Sequence, residues 1–291
     1  MSRVLQPIFR IALTVLAGGL LSATLARYAP GFGSDEDQLD TRRDSASLQR
    51  LRDRQMEDSN VTAFYTRSLI KYLSGDLGVS RSLQRPVREL LVDRFKPTVI
   101  ALLTGLVLAW MLGLTAALFA IFRPNPLTQA GLAASGTFMQ CVPAAVVALF
   151  LFVMGGRGPL LGGVAVALVL YPRIASYSSG MLKQAYSSSH VLMARARGIS
   201  RARVFLWHAL PVSLPQLISF AGVSVSLALS ASIPMEVILD TPGIGQLAWQ
   251  AALARDMSLL VALTICFSLI IVSANTISEA LISSISPGKA S

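Results

Sequence analysis

The side chains able to do chemistry in this chain are few, and most are charges in apolar surroundings. Arg195, Arg197, Arg201 and Arg203 fall within nine residues, and Gln140, Arg173 and Glu236 each interrupt a long apolar run. A charge midway through a membrane span costs at least ~2.5 kcal/mol on insertion scales, so it faces protein or a wet path. Binding, not bond making, is the chemistry open to these residues. The sequence has no G-x-x-x-x-G-K-[ST] phosphate loop, so it does not hydrolyse ATP by the usual route. His190 and His208 stand apart from any metal-type spacing, and a serine nucleophile at depth would have no base beside it. Neither a catalytic residue nor a metal ligand is expected.

Each intramembrane polar residue admits two readings. Gln140 either lines a path or bridges two helices. Arg173 either borders a path or, with Pro172 breaking the span, pairs with a carboxylate or snorkels. Glu236 either shares that path or forms a salt bridge with Arg173.

The elements that must position these groups are membrane helices. Of the 291 residues, 53% are hydrophobic and only 14% charged, and the mean hydropathy is +0.61. About 20 apolar residues at 1.5 Å each cross a hydrocarbon core of ~30 Å. Six runs qualify, roughly 8 to 27, 99 to 122, 132 to 154, 160 to 182, 214 to 238 and 259 to 282. The expected fold is an all-α polytopic bundle. It divides into a first transmembrane helix (1–30), an extracytoplasmic region (31–98) and a five-helix core (99–291). The first run has no small-x-small cleavage site ahead of a soluble domain and reads as a retained helix. Cys141 and Cys266 lie inside apolar runs and supply no disulfide framework.

The net charge of +10 is unevenly spread: residues 31–98 carry 12 basic and 11 acidic residues, the remainder 13 and 4. With the amino terminus inside, nine basic residues flank the spans on the cytoplasmic side, including Arg3, Arg10, Arg123, Lys183 and Lys289. Only Arg157 and Arg255 lie in short outer loops. That asymmetry orients the chain with both termini in the cytoplasm and argues against a nucleic-acid partner.

The basic stretch 190–211, HVLMARARGISRARVFLWHALP, therefore lies outside the bilayer. Gly198 suits the left-handed turn that ends a helix, Ser200 can cap the next, and Pro211 marks where that second helix ends or kinks. The stretch resembles the EAA loop of binding-protein-dependent ABC importer permeases. Anchored on Gly198, the loop's opening triplet falls on Leu192, Met193 and Ala194, a partial match, and its close on His208, Leu210 and Pro211. Ala194 to Ser200 followed by His208-Ala209-Leu210 is most similar to dipeptide and oligopeptide importer permeases. Four further stretches occur in that family's order: Gly75-Asp76-Leu77-Gly78, Pro97-Thr98, Glu236 before Pro242-Gly243-Ile244-Gly245, and Ala254-Arg255-Asp256. The outer connection 155–159 is shorter than the family's.

The resemblance implies a type I ABC importer permease in the bacterial inner membrane. Ala194, Arg195, Ala196, Arg197, Gly198, Ile199 and Ser200 would form the coupling helix that docks on an ATPase; the competing reading is a solvated basic loop. The implied partners are a second similar permease, two ATPase subunits holding Mg-ATP, an extracytoplasmic solute-binding protein and membrane lipid. No cofactor is expected on this chain. The small residues of the fifth run, Gly222, Ser224, Ser226, Ala228, Ser230, Ala231 and Ser232, suit the meeting of two permeases. A stand-alone secondary transporter or channel, which would show inverted repeats or paired charges, and a structural scaffold are the alternatives.

Overall fold

The computed structural model describes residues 76–122 and 125–285, together with Leu13, Ala17 and Thr24. The first predicted span and most of the predicted extracytoplasmic region (31–98) lie outside the described residues. The described residues are helical: α1 (Val87–Phe122), α2 (Pro126–Cys141), α3 (Ala144–Val153), α4 (Pro159–Tyr186), α5 (Ser189–Ala196), α6 (Arg201–Val204), a π-helical turn (Phe205–Ala209), α7 (Leu210–Ile238), α8 (Ile244–Leu253) and α9 (Met257–Ile285). Four stretches are long and apolar enough to cross a membrane: α1, α4, Arg201–Ile238 and α9. The count is five if the bent pair α2 and α3 is one span. These five coincide with the predicted runs from 99 onward.

The breaks follow from prolines and caps. Pro143 forces Val142 into an extended conformation (φ −79°, ψ 119°), as a residue before proline must go, and α2 and α3 meet at 88°. Asn125 caps α2, accepting from the Leu127 amide at 3.0 Å, with Pro126 at the first helical position. Two other prolines do not break their helices. α4 runs unbroken through Pro172, and α1 begins at Val87 and continues through Pro97. Lone prolines are tolerated in spans where neighbouring helices re-satisfy the freed carbonyl.

By contacts the chain forms two compact units, Met1–Phe95 with Leu247–Val272 and Lys96–Gln246 with Ser273–Ser291. In the second, α4 packs on α2, α3 and α7. α1 approaches α4 through Gly105 and Gly113, where an added Cβ would strike Val166 and Ile174. Gly222 of α7 likewise leaves room for Ser278 of α9. Most small residues of α7 are thus used inside the chain: Gly222, Ser224, Ala228, Ala231 and Ser232 are buried, and only Ser230 is fully exposed. The sequence reading assigned that set to a contact between permeases, whereas helix packing within one chain absorbs most of it.

Candidate functional site

The basic stretch is a helix, a turn and a second helix, seated on the bundle by an apolar underside. Val191 and Ala194 of α5, Val204 of α6, and Phe205 and Ala209 of the π turn pack on Leu182 and Ala185 of α4, Ala117 of α1 and Leu217 of α7. Phe122 meets Phe205 edge to face at 5.3 Å. Burying these residues leaves the opposite face free. Arg195, Ala196, Arg197, Gly198, Ser200, Arg201 and Arg203 are exposed, Ile199 is half-buried, and Ala194 belongs to the core.

The turn itself depends on Gly198, whose φ is +75° and whose amide donates to the Arg195 carbonyl at 3.0 Å. Nothing lies within 4 Å of a Cβ built there, so backbone strain, not crowding, selects glycine. Ser200 occupies the cap position of α6 without a side-chain cap bond. Pro211 does not end the second helix, which continues as α7. The π turn just before it widens the ring of hydrogen bonds, with the Leu210 amide reaching back to the Phe205 carbonyl. That accommodates a proline, whose ring crowds the carbonyl one turn earlier. His190 ties the two arms, its Nε2 lying 3.4 Å from the His208 carbonyl oxygen and 3.3 Å from Ser188 Oγ.

Arg195 lies over the Tyr186 ring, 5.4 Å from its centroid. Among the described residues, Arg197, Arg201 and Arg203 make no ion pair. Beside them stand exposed apolar side chains, Met193 (66%) and Trp207 (73%) among the largest. Exposed cations and exposed apolar side chains thus share this face.

No hydrogen bond or ion pair joins the three predicted pathway residues to one another. Gln140 is exposed at the α2–α3 bend, its amide 3.3 Å from the Gly136 carbonyl one turn back. Arg173 is exposed near the middle of α4 and pairs with no carboxylate among the described residues. Glu236 is only 1% exposed. Its carboxylate accepts from Thr98 Oγ1 at 2.7 Å and from the amides of Gly245 and Gln246 at 2.7 and 3.1 Å. Thr98 Oγ1 in turn accepts from the Ile244 amide at 2.8 Å. The first three amides of α8, which no helical carbonyl can reach, are all satisfied, and the anion sits at the positive end of that helix. A side chain at Gly243 would occupy the space of this carboxylate, and one at Gly245 would come within 2.9 Å of it. Glu236 is therefore a capping group, and no salt bridge joins it to Arg173.

A second carboxylate works in the same way in the other unit. Asp256 Oδ2 accepts from Ser80 Oγ at 2.6 Å and from the amide and hydroxyl of Ser82, each at 3.0 Å. Its Oδ1 caps α9 through the Leu259 amide at 3.2 Å. Stretches about 140 to 175 residues apart are thus joined: the loop after Gly78 to Ala254-Arg255-Asp256, and Pro97-Thr98 to Glu236 and Pro242-Gly243-Ile244-Gly245.

Residues 105–290 match the family described as binding-protein-dependent transport system inner membrane component. This chain belongs to that family. It is a multi-pass protein of the inner membrane. Over 234 residues it is 27% identical to the glutathione transport system permease protein GsiC of Escherichia coli O6:H1, covering 74% of this chain and 75% of that relative. Over 228 residues it is 29% identical to the oligopeptide transport system permease protein OppB of Escherichia coli K12, covering 72% and 74%. A chain of the MetNI methionine ABC transporter superposes with a TM-score of 0.61 at 16% identity, covering 67% of this chain and 96% of that one, and so shares the fold. The sequence reading missed Thr98, Ser80, Ser82 and Asp256 as working residues. Thr98 and Asp256 stood inside family-like stretches with no role assigned, and Ser80 and Ser82 just after one.

Proposed function

We propose that this chain is the pathway-forming permease of an ATP-driven importer of peptides, with both termini cytoplasmic. The observation that carries the reading is the exposed basic helix-turn-helix, anchored below by its apolar core and uncovered above. Ala194 to Ser200 then form the coupling element: Ala194 anchors it, Gly198 sets the angle, and Arg195 and Arg197 meet a separate ATPase subunit. Two such subunits hold Mg-ATP, a second similar permease completes the pathway, and an extracytoplasmic solute-binding protein delivers cargo. The peptide class is supported by the relatives named for oligopeptide and glutathione transport. Within the pathway, Arg173 and Gln140 are the polar residues left open on apolar elements, while Glu236 holds α8. ATP acts on the pathway only through contacts that differ between its two states.

Reconstitution tests this directly. The chain alone in liposomes passes no peptide with or without ATP, and adding the second permease, the ATPases and the binding protein restores ATP-dependent uptake. Robust flux through the lone chain would overturn the reading in favour of a secondary transporter. Orientation is tested separately, with single cysteines at Ser45 and Ser200 in a background lacking Cys141 and Cys266. The two label from opposite sides of the membrane, and labelling of both from outside would refute the topology.

A further inference from the structure

Arg173 poses a physical problem that the coupling function does not absorb. It lies midway along an apolar span, is exposed, and has no carboxylate partner among the described residues. Lipid cannot be its surroundings at that depth without a large cost. One turn further on the same helix face stands Tyr177, 57% exposed. Its ring is held at 4.9 Å from that of Phe220 on α7, which meets Trp110 of α1 at 5.8 Å. Trp110 is fixed in turn by donating from Nε1 to Ser224 Oγ at 3.0 Å. A guanidinium with unused donors thus stands beside a braced aromatic wall. Exposed polar side chains continue along this side of α4 at Ser176 and Gln184, as on a wet face.

We propose that Arg173 and Tyr177 form a recognition site in the pathway for the terminal carboxylate of the cargo. A guanidinium presents paired N–H donors that match a carboxylate in two parallel hydrogen bonds, and the tyrosine face packs against the planar peptide unit next to it. This rests on the proposed importer function and adds a chemical requirement to it: cargo with a free anionic end passes, and its neutral analogue is disfavoured.

The test uses the complete reconstituted importer, fed with a pool of tripeptides bearing free carboxyl ends or with the same pool amidated. Because one binding protein feeds every permease variant, the ratio of the two uptake rates, compared between variants, isolates the permease. Arg173→Gln lowers uptake of the free-acid pool by about tenfold or more, the loss expected for a charge-assisted hydrogen bond, and lowers amidated uptake by much less. Arg173→Lys keeps the charge without the paired donors and falls between. Tyr177→Ala lowers uptake of both pools, while Tyr177→Phe, which keeps the ring, restores it. An equal fall for both pools in Arg173→Gln would overturn the site while leaving the importer function intact. Separation of the two permeases in that variant would also overturn it, assigning Arg173 to a carboxylate of the second permease. No uptake of either pool by the wild-type assembly would overturn the peptide reading itself.

Discussion

The two carboxylates Glu236 and Asp256 and the arginines of the basic turn are charged groups used in opposite ways. Each carboxylate is almost completely buried and accepts from several donors belonging to distant parts of the chain. Arg197, Arg201 and Arg203 are exposed and make no ion pair among the described residues. A buried anion is stable only when its lone pairs are filled, so it binds sequence-distant backbone into one arrangement. An exposed cation costs little in water and stays available to a partner. One set of charges holds the fold, and the other stays at the surface, where the proposed function puts a partner.

Removing a buried anion tests the first half most severely. Glu236→Ala leaves Thr98 Oγ1 and the amides of Gly245 and Gln246 without their acceptor, and roughly 3 kcal/mol or more of stability is lost at about 1–3 kcal/mol per buried donor. Thermal unfolding in detergent reads the loss, and an unchanged midpoint would dissolve the contrast. Asp256→Ala follows with about 2 kcal/mol for a lost cap and its serine partners. Asp256→Asn, which still accepts from the Leu259 amide, loses about half as much. Faster proteolysis at Ser80–Gln84 is the local sign that this loop has come free.

The other half is sharpened by the turn. Gly198→Val forces a β-branched residue into the left-handed region at a cost of about 1–2 kcal/mol. Membrane insertion remains normal while uptake is abolished and the ATPase dissociates on purification; normal uptake would reduce the turn to a connector. The smallest effect on stability comes from changing Arg197, Arg201 and Arg203 together to Gln, within about 0.5 kcal/mol as for surface positions. ATPase association weakens and loses its dependence on salt, since the screened charges are gone. A large fall in the unfolding midpoint would place these arginines among the fold-holding charges.

Several parts of the molecule were legible in the chain. Gly198 announced its turn because few other residues accept a φ of +75°. The five described spans announced themselves because a hydrocarbon core sets the length of the helix that crosses it. Prolines were less readable. Pro143 bends its span, whereas Pro172 and Pro97 do not. Pro211 is accommodated by a π turn that no local pattern signals.

What the sequence by itself determined is local: which stretches are apolar, where a backbone must turn, which side of the membrane the basic residues favour, and that no phosphate loop is present. The partners of each charge were decided by tertiary structure alone. In sequence Glu236 and Arg173 look alike, two lone charges in apolar runs without a neutralising neighbour one turn away. Folding brings Thr98 and the start of α8 onto Glu236, because free amides at a helix start and a buried anion each satisfy the other. It brings no carboxylate among the described residues onto Arg173. That difference depends on contacts between residues up to 146 positions apart (Thr98 and Ile244), which composition and periodicity do not encode.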